Sequence, residues 1–144
     1  MIVDQTHIRV RYSETDKMGY VYYGQYLTYF EIARAELVRR LGVPYSEMEE
    51  NYGFFLPVVE AHVEYKAPAK YDDLLVVRTF LKTKPGVKIR FDHEVERADG
   101  TPVAVGYTIL AFLKAPERRP ARPPLYFLQA VDRYWNDASD IRGL

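Results

Sequence analysis

Apolar and polar residues alternate along this chain in two different repeats, which predict one long helix and several strands. Within residues 23–41 the apolar residues recur every three or four positions, the spacing of a buried helix face. Gly42 and Pro44 then favour the end of that helix. Alternating or continuous apolar residues predict strands elsewhere, at 7–12, 55–65, 74–82, 87–97 and 102–114.

Shorter signals connect these elements. Residues 45–51 predict a second, shorter helix, and Asp99-Gly100 is typical of a hairpin turn between two strands. Residues 117–124, ERRPARPP, predict an extended proline-rich connector. A short C-terminal helix is predicted to follow this connector.

The order of strand, long helix and four further strands predicts an α+β protein. One helix lying across a curved antiparallel sheet buries the apolar face of each layer. A length of 144 residues suits a single domain, so residues 1–144 are predicted to form one domain. A sheet with one helix leaves strand edges open, and pairing with a second copy would remove them.

Composition excludes several classes of function. The chain has 20 basic and 20 acidic residues, and this balance argues against general nucleic-acid binding. It has no cysteine, which excludes disulfides and thiolate metal sites. His7, His62 and His93 lack the spacing of metal ligands, so no metal is expected. The absence of a signal-type segment or an 18-residue apolar run predicts a cytoplasmic protein without a membrane span.

The candidate chemistry lies just before the long helix. Asp16 stands three residues before Gly19, and an aromatic-rich helix follows. The start of a helix presents unpaired N–H groups that can polarise a carbonyl oxygen. A carboxylate beside it could attack the same carbonyl carbon or activate a water. The alternative is a structural role for Asp16 in an Asx turn or helix cap.

A longer motif surrounds Asp16, and a second block, EYKAPAKYDDLL, covers residues 64–75. The residues of the first motif are Tyr12, Glu14, Asp16, Gly19, Val21, Tyr22, Tyr23, Tyr26, Phe30 and Glu31. Together these blocks resemble the 4-hydroxybenzoyl-CoA thioesterase family of hotdog-fold acyl-CoA thioesterases, and the resemblance extends over about residues 7–115.

This resemblance implies a hotdog fold and the hydrolysis of an acyl- or aroyl-CoA to a free acid and CoA. It implies that Asp16 is the catalytic carboxylate, acting as nucleophile or general base. It also implies that the backbone N–H of Tyr23 binds the thioester oxygen. The family forms dimers or tetramers, and CoA enters only as part of the substrate, without a further cofactor.

Further residues are expected to contact the substrate. Tyrosines in this region could instead be core or interface residues. Glu31 could instead be a surface charge paired with Arg34 or Arg39, and Glu14 is expected to be a supporting loop charge. The predicted substrate-binding residues are Gly19, Val21, Tyr22, Tyr26, Glu31, Pro57 and Val58.

Basic residues are needed for the CoA phosphates. The candidates are Lys84 and Lys88 around a Pro-Gly turn, and Arg118, Arg119 and Arg122 in the connector. Each could instead be an ordinary surface charge. Two other functions stay open: a non-catalytic module that binds acyl-CoA or acyl-carrier protein, and a structural interaction protein without affinity for CoA.

Overall fold

The computed structural model describes residues 1–135, and residues 136–144 lie outside the described residues. The predicted short C-terminal helix is present at Leu125–Tyr134. In chain order the helices and strands are β1 (Ile2–Arg9), α1 (Gln25–Arg40), α2 (Tyr45–Tyr52), β2 (Phe54–Phe55), β3 (Val58–Tyr65), β4 (Leu74–Leu81), β5 (Lys88–Arg97), β6 (Pro102–Ala111), β7 (Leu113–Lys114), β8 (Arg119–Pro120) and α3 (Leu125–Tyr134).

Five of the strands form one antiparallel sheet in the order β1-β4-β5-β6-β3. The short strands β2, β7 and β8 form a small second sheet. Helix α1 packs against strands β1, β3, β4 and β6 of the large sheet. The predicted α+β arrangement, a long helix on an antiparallel sheet, is therefore confirmed.

Two apolar clusters hold α1 on the sheet. The first half of the helix contributes Tyr29 and Phe30 to one cluster, together with Leu75 and Val95 of the sheet. The second half contributes residues to another cluster, which also includes side chains from α2 and α3. Burying a large apolar side chain completely stabilises a fold by about 1.5–3 kcal/mol. These contacts compensate for the weak helix propensity of the aromatic residues in α1.

A row of buried polar residues lies between the two clusters, on the sheet face that α1 covers. Asp4, Thr79 and His93 are cross-strand neighbours on β1, β4 and β5, and each is 1% exposed. The His93 ring stacks on Phe30 of α1 with a centroid separation of 4.3 Å. Arg40 of α1 donates to Asp4 Oδ2 at 2.6 Å. This row therefore ties the helix to the sheet at two defined points.

Gly106 permits the close approach of the helix. It lies beside His93 on β6, and a Cβ atom there would be 2.1 Å from the backbone oxygen of His62 and 2.9 Å from Phe30 Cε2. A side chain at this position would displace backbone or a buried ring. Glycine is therefore required for α1, β3 and β6 to pack as they do.

The first strand differs from its prediction. Residues 7–12 were expected to form it, whereas β1 spans Ile2–Arg9 and Tyr12 lies in a short 3₁₀ turn with 78% of its surface exposed. The apolar alternation that marks a strand is interrupted at Asp4, which points inward because Arg40 neutralises it. The sequence pattern around Asp4 gives no information about Arg40, which lies 36 residues further along the chain.

Other predicted elements differ from the structure in detail. Helix α1 begins at Gln25 rather than at residue 23. The predicted strand 55–65 is divided into β2 and β3, and the predicted strand 102–114 is divided into β6 and β7 at the buried Phe112. The predicted extended connector includes β8, which pairs with β7. The prediction that the whole chain is one domain stays a prediction.

Candidate active site

The loop between β1 and α1 folds back on itself around Asp16. The Asp16 N–H donates to the Tyr20 carbonyl at 2.8 Å, and the Asp16 carbonyl accepts the Gly19 N–H at 3.0 Å. Gly19 has a φ of +82°, a conformation that favours glycine. This glycine therefore allows the tight reversal that holds Asp16 in place.

The Asp16 carboxylate is anchored through one of its two oxygens. Its Oδ1 accepts the N–H groups of Met18 at 2.9 Å and Tyr20 at 3.2 Å. Within residues 1–135 its Oδ2 accepts no hydrogen bond, and the side chain is exposed. Asp16 therefore has a structural role in its own turn, as the alternative interpretation expected. This role uses Oδ1 and leaves Oδ2 open to a reacting group.

Tyr23 lies in the turn that leads into α1. The Tyr22 carbonyl accepts the Gln25 N–H at 2.9 Å, so the chain turns here before the helix begins. The Tyr23 N–H donates no hydrogen bond to any described residue. An N–H group that is free and next to a helix start can stabilise a developing negative charge.

Asp16 and Tyr23 line the same cavity, which has a volume of about 350 Å³. Val21 and Tyr26 also line it, so it brings together four of the predicted site residues. Tyr26 contributes a ring that is only 3% exposed. Aromatic walls around a few polar groups are typical of sites for small organic molecules. The lining residues are Asp16, Tyr20, Val21, Tyr23, Tyr26, Tyr65, Lys66, Ala67 and Pro68.

Glu14 connects the Asp16 loop to α1, a role that the sequence did not reveal. Its Oε1 accepts the Arg11 N–H at 2.9 Å and the Tyr29 hydroxyl at 2.8 Å. Its backbone carbonyl accepts the Tyr22 N–H at 2.9 Å. Burial, together with the hydrogen bond to Glu14, raises the pKa of Tyr29 well above its ordinary value. The only signal in the sequence was the Glu-x-Asp spacing, and it did not identify Tyr29 as the partner.

Other predicted substrate-binding residues lie outside this cavity. Gly19 and Tyr22 are exposed in the adjoining loop. Glu31 is exposed on α1, where Arg39 pairs with Glu36 instead.

Pro57 and Val58 follow strand β2 and do not line the Asp16 cavity. Pro57 lines a second cavity of about 330 Å³ together with Arg118. Val58 is 45% exposed at the start of β3. The structure therefore separates these two residues from the Asp16 cavity within one copy of the chain.

The basic residues predicted to bind CoA have different surroundings. Lys84 Nζ lies 3.0 Å from Asp132 Oδ1 and 5.5 Å from the centre of the Trp135 ring. The Arg118 guanidinium lies 5.5 Å from the centre of the Phe55 ring. Lys88, Arg119 and Arg122 are exposed. Lys84 is therefore partly neutralised by α3, whereas Lys88 is open to an anion.

Metal sites and membrane-spanning helices are both absent from the described residues. Among residues 1–135, no group of three or more His, Asp and Glu side chains could hold a metal ion. None of the helices in the same part of the chain has the length and apolar character that a membrane crossing needs.

Comparison with known proteins identifies relatives over most of the chain. Residues 10–131 match the family model of the thioesterase-like superfamily. A putative acyl-CoA thioesterase of Bacillus subtilis, YneP, is 38% identical over 100 residues, which cover 69% of this chain and 72% of that protein.

Two solved structures share the fold. The hypothetical protein TT1821 from Thermus thermophilus has a TM-score of 0.84 and 36% identity, covering 90% of this chain and 98% of the other. The DHNA-CoA thioesterase from Staphylococcus aureus has a TM-score of 0.80 and 32% identity, covering 99% of this chain and 90% of the other. The predicted hotdog fold and enzyme class, a thioester hydrolase, are confirmed. The chain belongs to the thioesterase-like superfamily.

Proposed function

We propose that this protein hydrolyses an acyl- or aroyl-CoA thioester to the free acid and CoA. The observation that carries the proposal is that Asp16 and the Tyr23 turn line one cavity. The carboxylate there has one oxygen without a hydrogen-bond partner among the described residues, and the Tyr23 N–H is likewise unpaired. A thioester carbonyl between them would meet a nucleophile or base on one side and an oxyanion donor on the other.

Two routes use the same groups. In the first, Asp16 Oδ2 adds to the thioester carbon, the C–S bond breaks, CoA leaves as thiolate, and water hydrolyses the mixed anhydride. In the second, Asp16 removes a proton from a water that attacks directly, and the proton passes to the departing sulfur. In both, the Tyr23 N–H binds the oxyanion, which is worth about 3–4 kcal/mol for one donor in comparable sites.

The turn also strengthens that donor. The Tyr22 carbonyl and the Tyr23 N–H belong to one peptide group, and the Gln25 N–H donates to this carbonyl at 2.9 Å. A hydrogen bond at one end of a peptide polarises the other end. The Tyr23 N–H is therefore a better donor than an isolated amide.

The lining of the cavity suggests which acyl groups to test. Tyr20, Tyr23, Tyr26 and Tyr65 line the same cavity as Asp16, and aromatic rings pack well against a flat ring in the substrate. The Staphylococcus aureus relative is named for an aroyl-CoA substrate, whereas the Bacillus subtilis relative is named only for acyl-CoA. We therefore keep both substrate classes in the proposal.

Release of free CoA thiol from short, medium, long and aromatic CoA esters tests the function. We expect turnover of at least one ester, with no added metal or cofactor because water is the only co-substrate. Tight binding of these esters without turnover would favour the non-catalytic module, and neither binding nor turnover would favour a structural interaction protein.

We also propose that the protein is a homodimer or a dimer of dimers joined through β3. Within residues 1–135 this strand pairs only with β6, so its other edge is open there. All of its residues except the half-buried Val63 are exposed, including Val59 and Tyr65 at 52% and 51%. An open edge strand that exposes several apolar side chains is a surface that a second copy can pair with. Pairing there would bring the partner's β3 beside the cavity that Tyr65 lines.

We expect light scattering at micromolar concentration to give at least twice the mass of the chain. A lysine on the β3 edge, in the variant Val59→Lys, should shift the mass toward a monomer because charged edge residues oppose pairing. His7→Lys, on the opposite edge strand β1, is the control and should leave the mass unchanged. A monomer for the wild type over this range would contradict the proposal.

We propose that Lys88 is the first candidate for the CoA phosphates, with Arg118 and Arg119 next. Lys88→Ala should raise KM at low salt with little change in kcat, as expected for uniform binding. A single charge should contribute about 0.5–1.5 kcal/mol, and the effect should shrink at high salt. Lys84→Ala is the matched control, because Asp132 already neutralises Lys84. An unchanged KM for Lys88→Ala would transfer the assignment to the arginines.

The remaining expectations from the sequence, a cytoplasmic location and no nucleic-acid partner, stay predictions.

A further inference from the structure

Tyr65 contacts the residue that carries the proposed oxyanion donor. Its hydroxyl donates to the backbone carbonyl of Tyr23 at 3.0 Å. Tyr65 is the last residue of β3, 42 positions further along the chain. This hydrogen bond therefore joins the end of a sheet strand to the turn in front of α1.

The helix does not use this carbonyl. A helical bond to Tyr23 would come from the N–H of Leu27, but that N–H donates to Gly24 at 3.3 Å. Within the described residues, the Tyr65 hydroxyl is the only donor to the Tyr23 carbonyl. Without Tyr65 this carbonyl would be free to bond the helix, and the helix start could lengthen by one residue.

A longer helix would change the site. Tyr23 would then cap the helix, and its backbone would rotate to bring its carbonyl into line with the helix axis. The backbone N–H of Tyr23 would then have a different direction from the one it has in the present turn. The hydrogen bond from Tyr65 therefore fixes the Tyr23 carbonyl, and with it the present direction of the Tyr23 N–H.

The tyrosine is itself well placed for this role. Its ring packs edge-on against Tyr26 with a centroid separation of 5.6 Å, and both rings line the Asp16 cavity. Its backbone pairs with Ala104 of β6, so the large sheet fixes the position of the Tyr65 backbone from which the ring extends. Partial burial raises the pKa of Tyr65 above its ordinary value. The phenol therefore stays protonated, and a donor, at neutral pH.

We propose that Tyr65 is a positioning residue for thioester hydrolysis, because it holds the Tyr23 turn in the geometry that presents the oxyanion donor. This inference rests on the proposed function of the same cavity. Tyr65 acts through the Tyr23 peptide, and its role is to keep the donor aligned before the substrate binds.

Tyr65→Phe tests the inference, since it removes the hydroxyl and keeps the ring. We expect kcat to fall about three- to tenfold, the effect of one ordinary hydrogen bond, with KM within about twofold of the wild type. The melting temperature should stay the same, because a half-exposed hydroxyl adds little to stability. The Gly24 amide shares a peptide group with the Tyr23 carbonyl, so its NMR resonance should move in the variant.

Tyr71→Phe is the matched control. Tyr71 is 57% exposed, does not line the Asp16 cavity, and its hydroxyl makes no hydrogen bond in residues 1–135. This variant should keep the wild-type kcat and the wild-type Gly24 resonance.

The outcomes separate this inference from the proposed function. An active wild type with an unchanged kcat in Tyr65→Phe would overturn the role of Tyr65 alone. A lower melting temperature with an unmoved Gly24 resonance would also overturn it, since that pattern indicates a general packing defect. A wild type inactive on every CoA ester would overturn the proposed function, and the role of Tyr65 with it.

Discussion

Replacing Asp16 with asparagine is expected to reduce the turnover of a CoA ester at least about a hundredfold, the usual effect of losing an acid–base or nucleophilic group. The amide has no negative charge and cannot take up the proton or form the anhydride. Its oxygen can still accept the N–H groups of Met18 and Tyr20, which now bond Asp16 Oδ1. The loop should therefore keep its shape, and the loss should appear in kcat.

Asp99→Asn is the matched control for this variant. Asp99 Oδ1 accepts the N–H of Thr101 at 2.9 Å, the same kind of local bond that Asp16 makes to Met18. Asp99 lies in the β5–β6 turn, outside the Asp16 cavity. Circular dichroism and thermal melting should show both variants folded. Near-normal hydrolysis by folded Asp16→Asn would refute the assignment of Asp16.

The elements that local pattern determines were predictable from the sequence. Strand β5, residues Lys88–Arg97, alternates buried and exposed side chains along most of its length, as the sequence alternates apolar and polar residues. Helix α2, Tyr45–Tyr52, differs from its prediction by one residue. In both cases neighbouring residues along the chain carry the information that the fold uses.

Long-range partners explain the differences. The inward position of Asp4 depends on Arg40, so the start of β1 could not be read from its own residues. Apolar and polar residues alternate in β3, a pattern typical of a half-buried strand, but β3 is an exposed edge in a single copy of the chain. Its apolar residues fit a surface that another molecule covers, which a pattern of apolar residues does not distinguish from a core strand.

Some residues of the candidate site could likewise be predicted from the sequence, whereas their long-range contacts could not. The motif around Asp16 led to Asp16, Val21, Tyr23 and Tyr26, which share one cavity. It gave no indication of the Tyr29 hydroxyl that Glu14 accepts, or of the Tyr65 hydroxyl that donates to Tyr23. Both contacts join residues that only the tertiary structure brings together. A short motif therefore locates the reacting groups but not the hydrogen bonds that hold them.

His93 should make the fold sensitive to acid. Its ring is 1% exposed, stacks on Phe30 and lies 3.1 Å from the Thr79 hydroxyl through Nδ1. Its Nε2 is 3.4 Å from the Thr108 hydroxyl. Burial, with a smaller contribution from the nearby Arg34 charge, lowers the pKa of His93 to about 3. The folded protein therefore keeps this imidazole neutral, in a place where a cation would be costly.

The direction of the effect follows from the two states. An unfolded chain protonates this imidazole below about pH 6.5, whereas the folded chain does so only near pH 3. The contribution of His93 to stability is therefore complete above pH 6.5 and is lost as the pH falls toward 3. One proton corresponds to about 1.4 kcal/mol per pH unit. At pH 4.5 the loss from this residue should be about 2–3 kcal/mol.

Urea unfolding at several pH values between 7 and 4.5, at one fixed protein concentration, measures this loss. His93→Gln keeps a polar side chain beside the threonine hydroxyls but cannot be protonated, so its free energy of unfolding should fall less steeply with acid. His7→Gln, at an exposed position on β1, should retain the wild-type slope. Asp4 is present in all three proteins, so its own titration cancels in the comparison. Equal slopes for the wild type and His93→Gln would mean that His93 is protonated in the folded state, contrary to its buried contacts with Phe30 and Thr79.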